Sequence, residues 1–419
     1  MRALRSRNYR LFFSGQSISL VGTWMQQVAV AWLMYRLTRS AFFLGATGFA
    51  SQIPSFFLAP VAGVLADRWD RKRMLLATQA LSLLQALVLS ILVLTGSVRV
   101  WEVLALSVFL GIVNAFDMTV RQTFVVDLVD RREDLGNAIA LNSSMVNAAR
   151  LVGPSVAGLL IAVVGEGFCI LLNTLSYVPV LAALAAIRVP PRSLPVRVSS
   201  PARALREGFA YTFRFAPLRS IILLLSLTSL VGMPYTVLLP VFAKEILSGG
   251  AQTQGFLVAA AGVGALAGSL FLAAREGVLG LGRTTVLATS ASGLGLVTLA
   301  LSTRLWLSLA ALTAVGFGMM VQWAAGNTIV QTILEEDKRG RVMSFFSAAF
   351  MGVTPIGSLA AGALAGWVGV PAVVFAGGLG CLAGSLWFQW RLPELRTYLR
   401  PIYVRMGILP ETAAEVGGA

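Results

Sequence analysis

Apolar residues in this chain come in long runs closed by charge, glycine or proline, and the runs fall into two sets of six. The first set covers residues 11–35, 41–66, 74–94, 101–126, 135–164 and 168–187; the second covers 218–242, 255–274, 285–301, 305–334, 343–366 and 370–390. A helix needs about 20 apolar residues to cross the hydrocarbon core of a bilayer. The pattern therefore predicts an all-α integral membrane protein with twelve transmembrane helices. Between the sets, residues 188–217 are rich in arginine and carry Pro190, Pro191, Pro195 and Pro201, so they read as a linker. Inside it Leu205, Phe209 and Phe213 recur at four-residue spacing, which predicts a short helix over 202–215 lying in the membrane interface. The expected organisation is a six-helix bundle over 1–187, a linker over 188–217, a second six-helix bundle over 218–391 and a tail over 392–419.

Composition agrees with the pattern. Hydrophobic residues make up 57% and charged residues 12%, against roughly 45–50% and about 25% in soluble domains. The net charge of +15 raises the question of nucleic acid. If successive loops alternate between the two membrane faces, one face holds only Arg36, Arg39, Arg99, Lys244 and Arg304. Arg121 and Arg150 lie within spans, and every other lysine and arginine falls on the side of the termini. By the positive-inside rule both termini are cytoplasmic, and the chain is a multi-pass protein of the cell membrane. Its basicity serves topology and contact with anionic lipid, not nucleic acid. The basic start followed by a long apolar run, without a small-residue cleavage site, reads as an uncleaved first helix. The absence of histidine excludes histidine metal sites, Ser-His catalysis and a histidine proton relay. Cys169 and Cys381 stand alone in apolar runs and are expected to be buried thiols. Neither a metal nor another cofactor is expected.

Weak self-similarity links the two sets. Ala62-Gly63 corresponds to Ala267-Gly268, Gly111 to Gly316, Gln122-Thr123 to Asn327-Thr328 and Gly136 to Gly340. Such an arrangement predicts parallel, pseudo-symmetric repeats with a site near the bilayer midplane between them. In the second half, Gly262-x-Gly264-x-x-x-Gly268 has the wrong spacing for a dinucleotide loop and no strand before it; it reads as close helix packing.

The turn after the second span reads Gly63-Val-Leu-Ala-Asp67-Arg68-Trp-Asp70-Arg71-Lys72-Arg73. It resembles the signature loop of the major facilitator superfamily, G-x-L-a-D-r-x-G-r-k, except that Asp70 stands at the second glycine. The stretches Asn114-Ala-Phe-Asp117-Met-Thr-Val-Arg121-Gln122, Ala148-Ala-Arg150-Leu-Val-Gly153-Pro154-Ser-Val-Ala-Gly158 and Leu239-Pro240-Val-Phe-Ala-Lys244-Glu245 resemble the exporter branch of macrolide efflux and enterobactin export proteins. Thr119 replaces the proline usual there, and Ala149 and Ala157 replace glycines of the antiporter motif. The resemblance implies a cytoplasmic gate at Gly63, Asp67, Arg68, Arg71, Lys72 and Asp127, with Asp67 facing Arg341 and Arg71 paired with Asp127. It also implies an exporter-type bend at Arg150, Gly153, Pro154 and Gly158.

A charge at the centre of a spanning helix costs about 2.5–3.5 kcal/mol on insertion scales, so it needs a partner or a task. Asp117 and Arg121, at i and i+4, share a helix face and can neutralise each other. In the resembling fold the first, fourth, seventh and tenth helices line the central cavity. That makes Asp117 the candidate proton-coupling group and Arg121 its charge partner; a static packing pair is the alternative. Further cavity candidates are Gln16, Thr23 and Gln27 with Ser19 on the first helix, Asn114 on the fourth, Tyr235 on the seventh, and Trp323, Asn327 and Gln331 on the tenth. An aromatic with a few amides on an apolar wall suits an amphipathic ligand. The first helix has no acid, unlike many proton-coupled drug exporters of that superfamily.

Without a Walker loop, a soluble nucleotide-binding segment or the residues of an intramembrane enzyme, the expected function is secondary transport, not catalysis. The expected reaction is proton-coupled efflux of an amphipathic drug, metabolite or siderophore by alternating access. Uptake or facilitated transport on the same fold, and a non-transporting membrane sensor or scaffold, are the alternatives. Expected partners are a small-molecule substrate, protons and membrane lipids, with a monomer as the expected state.

Overall fold

The computed structural model describes residues 2–129, 131–188, 211–275, 277–334 and 336–410, without the side chains of Pro60, Val64, Asp67, Arg132, residues 336–341 and Ser344. Helices dominate: α1 (Arg7–Thr38), α2 (Ala41–Arg68), α3 (Arg71–Leu94), α4 (Val100–Phe124), α5 (Leu135–Ala186), α6 (Ala216–Val231), α7 (Tyr235–Val241), α8 (Ala251–Ala273), α9 (Leu281–Leu301), α10 (Leu305–Ile333), α11 (Glu336–Met351), α12 (Val353–Val368) and α13 (Val370–Arg405). Among the described residues, ten helical stretches are long and apolar enough to cross a membrane. The helix α1 is not among them although its 32 residues reach about 48 Å; Gln16, Ser19, Thr23, Gln26 and Gln27 dilute its apolar character.

Helix breaks fall where backbone chemistry intervenes. The break expected between residues 164 and 168 does fall there: α5 turns sharply at Gly165, whose φ of 84° suits glycine, so its two arms match two predicted spans. Gly369, at the same offset from Gly165 as Gly340 is from Gly136, has a φ of 85° and separates α12 from α13. This geometric repeat accompanies the sequence repeat. The seventh predicted span breaks into α6 and α7 at Gly232–Pro234, where proline has no N–H to donate. The eleventh breaks at Gly352. The last helix continues beyond residue 390 to Arg405, with Leu395 and Tyr403 buried in an apolar cluster with Leu218, Phe346 and Phe388. Residues 189–210 of the linker, with most of the segment expected as an interfacial helix over 202–215, lie outside the described residues.

The helices α1 to α5 pack among themselves, as do α6 to α13, and the two groups meet chiefly through α5 against α8 and α2 against α12. Large apolar side chains such as Leu84, Ile91, Val163, Leu294 and Leu386 remain exposed, a surface made for lipid tails. Trp101, Trp306, Trp367 and Trp69 are exposed near helix ends and Trp390 along α13, where an amphipathic ring suits a membrane–water interface. Cys169 and Cys381 are free and buried.

The tightest backbone approaches between the groups gather at the end where α1 finishes and α2 begins. A Cβ added at Gly158 would lie 2.9 Å from the Ala251 carbonyl and 3.0 Å from the Gly255 Cα. Across the other seam, Gly45 meets the Ser358 carbonyl and Gly362 meets that of Ala41. Small residues here let helix backbones touch, which is how helices associate where lipid removes the hydrophobic drive. The Tyr35 hydroxyl adds a 2.8 Å hydrogen bond to Glu245 at the same end, beside an ion pair between Arg36 and Glu166.

Candidate functional site

The polar residues of α3, α4 and α5 meet in the interior of the first group. Asp117 on α4 is only 5% exposed. Its Oδ1 accepts from the Thr78 hydroxyl at 3.0 Å and the Gln79 amide at 2.7 Å, while Oδ2 lies 3.3 Å from the Arg121 guanidinium. Two neutral donors and one cation thus hold the carboxylate in apolar surroundings. One step further in, the Tyr177 side chain of α5 is flanked by Thr23, Asn173 and Ser82. Asn173 donates to Gln26, and Gln26 donates to Gln85 at 2.9 Å. A continuous polar column therefore runs through this group beside Asp117.

The residues chosen from sequence divide around this column. Gln16 is buried, Thr23 is part-buried and hydrogen-bonds the Ser19 carbonyl, but Gln27 is exposed; its neighbour Gln26 enters the column instead. Asn114, three residues from Asp117, is exposed and does not join it. Asp117 faces α3 rather than a space between the two groups. Its partners Thr78 and Gln79, and Gln85 and Asn173, carry no charge, and polar residues interrupting apolar runs were the available signal.

In the second group Trp323 on α10 lies beside Phe346 and Phe350, with ring centroids 6.5 and 6.4 Å away. Trp323 also lines a small cavity with Thr228, Ser229, Met233, Met319 and Gln322, where Gln322 donates to Thr228 at 2.9 Å. The cavity abuts the break between α6 and α7. Tyr235 at the start of α7 is buried. Asn327 accepts from Gln331 at 3.2 Å, one turn toward the C-terminal end of α10.

The loop between α2 and α3 is held by specific contacts. Arg71 meets Asp127 at 3.0 Å, with side chains 16% and 13% exposed. Lys72 donates to the Ala185 and Ile187 carbonyls at 3.1 and 2.6 Å, where an ammonium complements a helix C-terminus. Asp70 caps α3 by accepting from the Arg73 N–H at 3.0 Å. The residue that departs from the signature pattern thus starts the helix. Gly63 has open space where a Cβ would stand. Arg68 is exposed, and the side chains of Asp67 and Arg341 lie outside the described residues. Asp127→Asn is expected to destabilise the protein by about 1–3 kcal/mol, between the values for exposed and buried pairs. Thermal unfolding in detergent checks it; Asp127→Glu should recover most of the loss.

On α5, Pro154 cannot donate to the Arg150 carbonyl, which faces Gly262 of α8. Gly153 fits against Trp24 and the Val21 carbonyl of α1, and Gly158 forms the seam with α8. Arg150 stacks its guanidinium 5.6 Å from the Trp24 ring centroid. Among the described residues, no group of three or more cysteine, aspartate and glutamate side chains is arranged to hold a metal.

Known proteins resemble this arrangement along most of its length. The chain is 24% identical over 355 residues to the staphyloferrin A transporter of Staphylococcus aureus, covering 84% of this chain and 87% of that protein. It is 26% identical over 378 residues to macrolide efflux protein A of Streptococcus pyogenes, covering 87% and 91%. A solved bacterial homologue of the iron transporter ferroportin, in an inward-facing state, shares the fold with a TM-score of 0.68 and 18% identity, over 91% of this chain and 98% of that one. The family described as transmembrane secretion effector matches residues 1–402, and the chain belongs to this family of major facilitator membrane transporters, which are not enzymes.

Proposed function

We propose that the protein exports an amphipathic small molecule across the cell membrane, in exchange for protons, by rocking two six-helix bundles about a central site. The observation that carries the reading is the glycine-on-backbone seam between α5 and α8 and between α2 and α12 at one end of the molecule. Rigid helices touching at one end can separate there and close at the other, the movement that alternating access requires. Twelve crossings follow if α1 spans despite its polar residues, α5 contributes an arm on each side of Gly165, and α6–α7 and α11–α12 each cross once. Under this topology both termini are cytoplasmic, the glycine seam seals the outer face, and the open space around Gly63 belongs to a parted cytoplasmic gate of Asp67, Arg68, Arg71, Lys72 and Asp127. The bend at Arg150, Gly153, Pro154 and Gly158 then shapes the outer seal.

Asp117 is the proton-carrying group in this reading, with Arg121 as its charge partner. Trp323, Tyr235, Asn327 and Gln331 supply one wall of the substrate cavity, and Gln16, Thr23, Gln27 and Asn114 the other. The names of the staphyloferrin A and macrolide relatives support a substrate with both apolar area and polar groups. A proteoliposome assay tests the reading. Purified protein with an imposed pH gradient is expected to move a neutral macrolide or a cationic dye and to dissipate the gradient as it does so. Binding of these compounds without movement, under any gradient, would replace transport by a sensor role.

A further inference from the structure

Arg121 and Arg150 lie within spanning helices, and the structure treats them differently. Arg121 has Asp117 as counter-ion. Arg150 has none: among the described residues no carboxylate lies within 4 Å of its guanidinium, and its aromatic contact is with Trp24. An aromatic face offers a cation partial compensation, not neutralisation. An ionisable side chain inside a spanning segment is costly, and one kept without a counter-ion points to a functional site.

Its neighbours specify where that place is. Trp24 belongs to α1, Tyr235 at the start of α7 is close enough for the Arg150 charge to act on it, and the Arg150 backbone faces Gly262 of α8. The guanidinium therefore stands where the two groups of helices meet, part-exposed and not sealed in either core. Apolar and aromatic surface lies around it: Trp24 packs on the small cluster of Leu20, Met145 and Ala149. A planar guanidinium matches a carboxylate with two parallel hydrogen bonds.

We propose that Arg150 is an anion-docking residue of the transport site, and that the substrate class is amphipathic molecules bearing a carboxylate. This rests on the transport reading above, deepening it from an amphipathic ligand to a negatively charged one. The Trp24 ring would carry the apolar part of such a molecule while Arg150 fixes its charged end.

The test reads the charge of the site without needing transport. In a background with Cys169→Ala and Cys381→Ala, Asn147→Cys places a thiol three residues before Arg150 on the same helix face. Its reaction rates with an anionic and a cationic methanethiosulfonate reagent are compared in nanodiscs. The anionic reagent is expected to be favoured, with the rate ratio falling about ten-fold in Arg150→Gln and staying near the starting value in Arg150→Lys, as a single unit charge at short range requires. Benzoate and cholate should slow the reaction with the charge present, and cholate methyl ester should not. A ratio favouring the cationic reagent before Arg150 is touched overturns the proposal even if Arg150→Gln fails to fold, and so does an unchanged ratio in that variant. Protection from neither carboxylate overturns the substrate class. Protection only when phosphatidylglycerol is added to the nanodisc assigns Arg150 to a lipid headgroup and overturns it as well. If the charge effects and carboxylate protection hold while proteoliposomes move neither cholate nor the macrolide and dye, the anion site stands and the transport reading falls.

Discussion

Asp117→Asn is expected to abolish gradient-driven transport, lowering the initial rate by at least about ten-fold, the effect of removing a positioned proton-transfer group. The variant should also be less stable, for a separate reason. Asparagine can still accept from Thr78 and Gln79, but it leaves the Arg121 guanidinium without its carboxylate. Breaking one partner of a buried pair costs about 3–5 kcal/mol because an uncompensated charge remains. Loss of transport in this variant alone would therefore be ambiguous. The double variant Asp117→Asn/Arg121→Gln removes both charges, so unfolding in detergent should return toward the wild-type midpoint. Transport by the double variant then decides between the roles. A proton carrier predicts that movement against the gradient stays absent while substrate binding persists; a static packing pair predicts that transport returns with stability. Recovery of coupled transport would move the proton site off α4.

The apolar runs made the membrane architecture legible because lipid demands long, internally hydrogen-bonded segments, and that demand is written locally in sequence. Breaks inside the runs were less visible. Gly352 and the Gly232–Pro234 turn lie within predicted runs, unlike Gly165 between two of them, and only the backbone shows which of many glycines turns the chain. The Asp117–Arg121 pair could be read from i, i+4 spacing, since both members sit on one helix. Thr78 and Gln79 could not, because their contact to Asp117 depends on how α3 packs on α4. The choice between Gln26 and Gln27 has the same origin. Both continue the polar stripe of α1 within one residue, and the packing of α1 on α5 decides that Gln26 reaches Asn173 while Gln27 stays exposed. Asp70 shows the opposite case, where a departure from a family pattern carries its own explanation as a helix cap.

Gly158→Leu is expected to disable transport by at least about ten-fold through a different route, since overpacking at backbone contact forces the elements apart. A Cβ there already meets the Ala251 carbonyl at 2.9 Å, the Gly255 Cα at 3.0 Å and the Gln252 Cα at 3.1 Å. Those are backbone atoms, which cannot rotate out of the way as a side chain end would. The remaining leucine atoms have no place unless α5 and α8 separate, and separation at this end is the outward-open arrangement of the proposed cycle. The variant should therefore fold yet lose the closed outer face. Gln254 reports this directly: it is 2% exposed and donates across the seam to the Val28 carbonyl. With Cys169 and Cys381 replaced by alanine, Gln254→Cys should resist a membrane-impermeant maleimide applied from outside, and react several-fold faster once Gly158→Leu is added. Gly158→Ala, with one methyl to accommodate, should give an intermediate rate. Wild-type transport by Gly158→Leu, or a residue 254 thiol that stays protected in it, would show that this seam is not the outer gate and that the two groups move about some other contact.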